Sequence, residues 1–159
     1  GFAEVQKQRS IASLHEAATE APDVGTLLEV STKSTERLGH ELSAFNLTID
    51  INGEPDPVPV EHAYQGSKVF PGMGPFPELF RYPGGREVKR FIKDLGDLPV
   101  TGFEFLGEEW GLKPRTAFYD WLYLKGLQRL AVDDYDLDAK LGDFDAFTDI
   151  EFKVFWSAS

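Results

Sequence analysis

The sequence predicts a mainly α domain with a few short strands, and three observations carry that prediction. Apolar residues recur at helical spacing in five segments, strand-like alternation is confined to three short ones, and no internal repeat or long linker divides the chain. With 159 residues, 42% of them hydrophobic, the expected architecture is one compact multihelical domain spanning residues 1–159. The chain opens on Gly1 rather than Met, so it reads as an ordered or processed piece whose ends are incomplete.

At the start of the chain, residues 10–18 place Ile11, Leu14 and Ala18 on one helix face, with Ser10 as N-cap and Pro22 just beyond. Leu27 to Ser31 is apolar and β-branched and reads as a strand running into the polar loop Ser31-Thr32-Lys33-Ser34. Leu47 to Ile51 alternates before Asn52-Gly53, the strongest two-residue hairpin signal, and Pro55 and Pro57 stiffen the connection to the next element. A helix is expected from Val60 to Val69, ended by Pro71-Gly72-Met73-Gly74-Pro75, which no regular element crosses. Gly85 to Leu95 predicts another helix, Val100 to Leu106 a strand, and Gly107 to Gly111 its return. Pro114 suits a first helical turn, and the helix from Arg115 to Leu130 carries Ala117, Phe118, Trp121, Leu122 and Leu124 as core. The acidic stretch 133–145 holds a short helix near residues 137–141.

Composition excludes several classes of function. Sixteen Lys and Arg against 27 Asp and Glu give a formal net charge of −11, which argues against a general nucleic-acid coating protein. The absence of cysteine removes disulfide frameworks, zinc ribbons and thiol nucleophiles. No apolar run approaches the roughly 20 residues of a membrane span, so a soluble, cytoplasmic protein is expected. Asp134-x-Asp136-x-Asp138 with Asp145 has the outline of a calcium loop, but Ala139 stands where the turn demands Gly and Asp145 where a closing Glu belongs, so no metal is expected. Gly72-Met73-Gly74 opens like a dinucleotide fingerprint, yet Pro75 and Pro77 come directly after it, which makes it a rigid loop or pocket lip.

The segment Val60-Glu61-His62-Ala63-Tyr64-Gln65-Gly66-Ser67-Lys68 is the richest in chemistry. On a continuous helix Glu61, Gln65 and Lys68 share one face, with Glu61 and Lys68 roughly 10 Å apart along the axis, too far for direct pairing but suited to gripping one substrate. Each also has an ordinary explanation: a first-turn acid answers the helix dipole, a last-turn lysine is a solvated cation, and His62 is a half-buried filler. A second feature is the row Arg86, Lys89, Arg90 and Lys93, which lines one face of its helix with four cations, Arg81 lying just upstream. It is either a solvated face balanced by Glu87 and Asp94 or a seat for phosphate.

Leu42-Ser43-Ala44-Phe45, followed about fifteen residues later by Glu61-His62-Ala63-Tyr64-Gln65-Gly66-Ser67-Lys68-Val69-Phe70, resembles the NADAR family, the NAD- and ADP-ribose-associated proteins. Residues 28–34, 42–47, 116–122 and 145–152 extend the resemblance to the branch encoded beside DarT-type DNA ADP-ribosyltransferase toxins. The resemblance implies a compact, mostly helical fold and an N-glycosidase that removes ADP-ribose from guanine in DNA, an antitoxin needing no cofactor. Its partners would be ADP-ribosylated DNA, ADP-ribose and the toxin, with direct toxin binding left open.

The roles it implies fall on residues of this chain. Lys68 is the first candidate for an amine that traps the anomeric carbon as a Schiff base, Lys33 the second, and Glu61 is the general acid or base. Ser43 and Asn46 would hold ribose hydroxyls or phosphate, Phe45 or Tyr64 would stack on a base, and His62, Gln65 and Asp149 complete the substrate site. Members of this branch continue past Phe-Thr-Asp-Ile-Glu-Phe into an Asn- and Lys-bearing loop and a closing helix, whereas this chain runs Phe152-Lys153-Val154-Phe155-Trp156 and stops three residues later. Two rival readings stand beside the glycosidase: a non-catalytic module that binds ADP-ribose or the toxin, and an N-glycosidase acting on a free ADP-ribose-type molecule.

Overall fold

The structure is a computed structural model that describes residues 26–149 and 154–157. The described chain falls into two compact units. One joins residues 26–46 to 131–149 and 154–157, and the other runs from Leu47 to Leu130. The helix expected at residues 10–18 lies outside the described residues.

In the first unit, strand β1 (Leu27–Glu29) pairs in parallel with β7 (Ala146–Asp149), and β8 (Val154–Ser157) adds to β7 antiparallel. The register sets Glu29 opposite Thr148. Leu28, Glu29 and Val30 are all buried, as expected where a parallel strand is covered on both faces. A five-residue helix α1 (Arg37–Glu41) comes after β1. Gly39 lies so close to the Glu29 carbonyl and the Ser34 side chain that any Cβ would collide with them. Helix α5 (Leu137–Leu141) sits where the sequence places it, and Asp134 joins it locally through Lys140 Nζ at 2.8 Å and the Asp136 N–H at 3.1 Å.

In the second unit, β2 (Thr48–Ile49) pairs antiparallel with β3 (Val58–Pro59). Asn52-Gly53 makes a turn, with the Glu54 N–H donating to Ile51 O and Gly53 at φ 92°, but it is not the two-residue hairpin expected. Pro55 and Pro57 have no N–H to offer a ladder, so pairing waits until Val58. The tight hairpin forms instead at Leu106-Gly107, where both residues have positive φ and β5 (Gly102–Phe105) turns directly into β6 (Glu108–Trp110). Helix α2 (Val60–Gly66) leads into β4 (Lys68–Val69), which pairs with β5, and a 3-10 turn (Pro77–Arg81) precedes α3 (Gly85–Asp94).

The long helix α4 (Ala117–Asp133) starts after Pro114 rather than on it. It buries Phe118, Leu122 and Gly126 at four-residue spacing, while Leu124 falls off that stripe and is 51% exposed. Phe118 packs with Phe103, Phe105 and Trp110 at centroid distances of 4.9 to 5.9 Å, forming the aromatic core of this unit.

The expectation of a mainly α fold is therefore corrected. The described residues hold eight strands in three small sheets beside five α-helices, a mixed α/β architecture. The strands expected at 27–31, 47–51 and 100–106 are present in part as β1, β2 and β5, but the two-residue strands β3 and β4 are too short for alternation to register in sequence, and residues 146–148 pair with partners more than a hundred positions away.

The rigid loop after β4 folds back onto the strand that carries Lys68. Gly72 and Gly74 both have positive φ, but only Gly74 would drive a Cβ to 2.5 Å from the Lys68 carbonyl, whereas Gly72 has open space. Strain of about 1–2 kcal/mol from the left-handed backbone applies to alanine at either position. Gly74→Ala is expected to lose about 1–3 kcal/mol more than Gly72→Ala in urea denaturation; equal losses would show that this loop does not brace β4.

Candidate active site

The chemistry of the second unit gathers where α2 gives way to β4. The helix was expected to run to Val69, but it ends at Gly66. Ser67 Oγ donates to the Ala63 carbonyl at 2.6 Å, and the Gly66 carbonyl accepts the Phe76 N–H at 2.7 Å. A Cβ at position 66 would lie 2.8 Å from the Phe80 ring and 2.9 Å from the Phe76 carbonyl, so the approach of this segment requires glycine. The Ser67 carbonyl accepts from Glu104 N–H at 2.8 Å, and the Val69 carbonyl accepts from Thr101 N–H at the same distance. Lys68 therefore leaves on a strand, and the single helix face expected for Glu61, Gln65 and Lys68 holds only the first two.

Glu61 is fully buried, and its Oε1 accepts a hydrogen bond from Gln65 Nε2 at 2.8 Å. That donation turns Gln65 Oε1 elsewhere, and the oxygen, itself buried, has no hydrogen-bond partner among the described residues. Lys68 is half-buried, with Nζ 5.2 Å from the centroid of the Tyr64 ring. Burial lowers the Lys68 pKa below the usual lysine value, and the negative charge of Glu61 pulls it partly back. Tyr64 is shifted the other way: burial raises its pKa, Glu61 adds to the rise, and Arg115 opposes it. Its ring meets Phe103 and Tyr119 at 5.2 Å. These contacts hold Tyr64 as a wall beside the amine.

His62, next along α2, is influenced by other neighbours. Burial lowers its pKa, against the raising effects of a backbone hydrogen bond to Phe80 and the charge of Glu87. At 4% exposure it is buried rather than the half-buried filler that spacing suggested, and its Nδ1 has no hydrogen-bond partner among the described residues.

The first unit contains a separate polar group. Glu29 is buried and its Oε1 accepts from Thr148 Oγ1 at 2.8 Å, with Asp149 buried one position further along β7. Ser43 is buried too. Its Oγ accepts the Phe45 N–H at 3.2 Å and its carbonyl the Asn46 N–H at 2.9 Å, so it organises the turn after α1. Phe45 is half-buried, and Asn46 is exposed with Nδ2 on the His40 carbonyl at 2.8 Å. Lys33 is half-buried in the turn after β1, where its N–H donates to Ser31 Oγ at 3.2 Å. Glu29 was not singled out from the sequence; the signal present was a lone carboxylate between Leu28 and Val30 in an apolar strand.

A model of the DarT1-associated NADAR antitoxin family matches residues 1–158. The chain belongs to this family. Its NADAR fold, with the Glu61–Gln65 pair on α2 and Lys68 on β4, is therefore that of an antitoxin associated with the DarT1 toxin. No curated protein matches the sequence. Among the described residues of this NADAR chain, no helix is long and apolar enough to cross a membrane, and no group of three or more His, Asp or Glu side chains is placed to hold a metal ion. In the acidic outline at 134–145, Lys140 Nζ lies on the Asp134 carboxylate at 2.8 Å.

The opposed influences on Lys68 have a measurable sign. Glu61→Gln removes the contribution that raises the amine pKa and leaves the burial that lowers it, so the pKa falls further. In a 13C-methyl-lysine NMR titration, Lys68 is expected to titrate below the exposed lysines in the wild type and lower still in Glu61→Gln. An unchanged or higher value in the variant would show that Glu61 does not act on the amine.

Proposed function

We propose that this NADAR antitoxin is an N-glycosidase that removes ADP-ribose from guanine in DNA, reversing the modification made by its toxin in the cytoplasm. The observation that carries this reading is the juxtaposition of a fully buried carboxylate, Glu61, with a lysine whose charged form is disfavoured by burial. A lysine that loses its proton readily keeps the lone pair a nucleophile needs, and membership of an antitoxin family supplies the context.

In the proposed sequence, neutral Lys68 Nζ attacks the anomeric carbon of the ribose joined to guanine. The bond from that carbon to the guanine nitrogen breaks as Glu61 in its acid form delivers a proton to the leaving base. The bond between the anomeric carbon and the ring oxygen then breaks, the ring oxygen taking a proton given up by the Lys68 nitrogen, and a Schiff base joins the opened sugar to Lys68. Water then adds to the imine carbon, Glu61 as carboxylate takes the water proton, and the C–N bond to Lys68 breaks. The balance is one water consumed, with free ADP-ribose and unmodified guanine released, and no cofactor enters.

Gln65 holds Glu61 through its amide N–H, and its Oε1 is available to accept from a ribose hydroxyl. Tyr64, beside the amine, remains a candidate for stacking on a base. Ser43, Phe45, Asn46 and Asp149 remain substrate-binding candidates from the sequence, and Lys33 is the alternative nucleophile.

The test uses a single-stranded oligonucleotide carrying ADP-ribose on guanine, incubated with wild type, Glu61→Gln, Lys68→Ala and Lys33→Ala, with borohydride added to one set. Wild type is expected to release ADP-ribose and to form a reducible covalent adduct. Lys68→Ala is expected to lose the adduct and at least about a hundredfold in rate, as is typical for loss of an acid–base or nucleophilic group, while Lys33→Ala retains both. An adduct lost in Lys33→Ala instead would move the nucleophile to Lys33. A wild type that binds the oligonucleotide without releasing the sugar would leave a binding module in place of the enzyme.

A further inference from the structure

Helix α3 carries a feature that the glycosidase chemistry does not use. Arg86, Lys89, Arg90 and Lys93 are all exposed. At about 100° per residue they fill an arc of roughly 100°. The opposite side holds Val88, Phe91, Ile92 and Leu95. Val88 is fully buried, and Phe91 lies edge-on to Phe76 at 5.1 Å and to Tyr82 at 5.9 Å. The apolar side thus anchors the helix, and the cations are held outward as a row.

The acids of the same helix form no ion pair with Arg86, Arg90 or Lys93. Glu87 and Asp94 fall on its flank, and Glu87 is near enough to His62 of α2 to raise that ring's pKa. Ion pairs among the described residues include Arg37 with Glu41, Arg81 with Glu54, Arg129 with Asp50 and Lys140 with Asp134. None of these draws on Arg86, Arg90 or Lys93. Arg81, grouped with this row in the sequence, is instead held by Glu54 at 2.6 Å and by the Gly53 carbonyl, and belongs to the scaffold.

We propose that this face of α3 seats the phosphates of a single nucleic-acid strand, so that a DNA substrate is bound through its backbone as well as through its modified base. Arg86 and Lys93 are about 10 Å apart along the axis, longer than one pyrophosphate and long enough to meet more than one phosphate of a strand. With a formal net charge of −11, most orientations of the protein repel a polyanion, while screening over about 8 Å at physiological salt lets a local basic face act alone. Helix α3 packs against α2, the helix that carries Glu61, so the basic row and the acid belong to neighbouring elements of the same unit. The inference rests on DNA being the substrate, as proposed above.

The test is fluorescence anisotropy with an unmodified 20-nucleotide single strand over a series of KCl concentrations. It compares wild type, Arg86→Gln/Arg90→Gln/Lys93→Gln, and the control Lys113→Gln/Lys125→Gln, which removes two exposed cations outside α3. The logarithm of affinity is expected to fall less steeply with the logarithm of salt in the triple variant, by about 0.7 for each phosphate no longer neutralised. Binding at low salt is expected to weaken about tenfold or more, with the control behaving as wild type. A slope common to all three proteins, or equal weakening in the control, overturns the inference, as does equal weakening of the triple variant toward polyglutamate. A charge-retaining Arg86→Lys/Arg90→Lys variant should keep the wild-type slope, which separates removal of charge from disturbed folding. Hydrolysis of ADP-ribosyl-guanosine by wild type reports on the glycosidase separately. If that hydrolysis is present while the slopes agree, only the docking inference fails.

Discussion

The close approach of the Phe76–Phe80 segment to Gly66 ends α2 at that residue, and the placement of the polar groups around Lys68 depends on that ending. A seven-residue helix has little stability of its own. This one persists because every residue except Tyr64 is buried against its surroundings. With its last carbonyls answered by Ser67 Oγ and by the N–H groups of Ser67 and Phe76, the chain is free to enter β4. There, pairing with β5 fixes Lys68 opposite Phe103. Had the helix continued to Val69, Lys68 would have been a cation in its last turn, in the environment where the dipole most favours its charge.

The electrostatics of the site derive from that geometry. A buried carboxylate is costly unless hydrogen bonds replace its water, and Gln65, one turn along the same helix, supplies one at 2.8 Å. Lys68 sits between opposed influences: burial favours the neutral amine, while the Glu61 charge and the Tyr64 ring favour the ammonium. Removing the Glu61 charge would therefore shift Lys68 further toward the neutral amine, and removing its burial would shift it back toward the ammonium. The same carboxylate also raises Tyr64, so the phenol stays protonated and contributes a neutral, polarisable wall.

Legibility in the sequence tracked the range of the interactions involved. Helix α3 was legible to within a residue, because its apolar and cationic faces repeat with a helical period over ten residues. The short helix α5 was legible as well. The pairing of Glu29 with Thr148 across 119 positions was not. Neither β1 nor β7 contains enough residues to show a period, and what stabilises each is the other. The hairpin shows the same division. Asn52-Gly53 carries the stronger local signal, yet Pro55 and Pro57 deny it a partner, while Leu106-Gly107 turns tightly because β5 and β6 pair on either side of it.

By itself the sequence determined the family, the acid, amide and amine that stand in its central motif, the absence of thiols and the basic row on α3, since each depends on residue identity and near-neighbour spacing. Only the tertiary structure decided that the fold is mixed rather than mainly α, that Glu61 is shut away from water, and that Lys68 stands on a strand against an aromatic wall. Those outcomes depend on chain segments tens of residues apart coming within hydrogen-bonding or van der Waals distance. Residues 76–80 end a helix at position 66, and residues 101–104 hold the strand that comes after it. A pattern read three or four residues at a time carries no record of either.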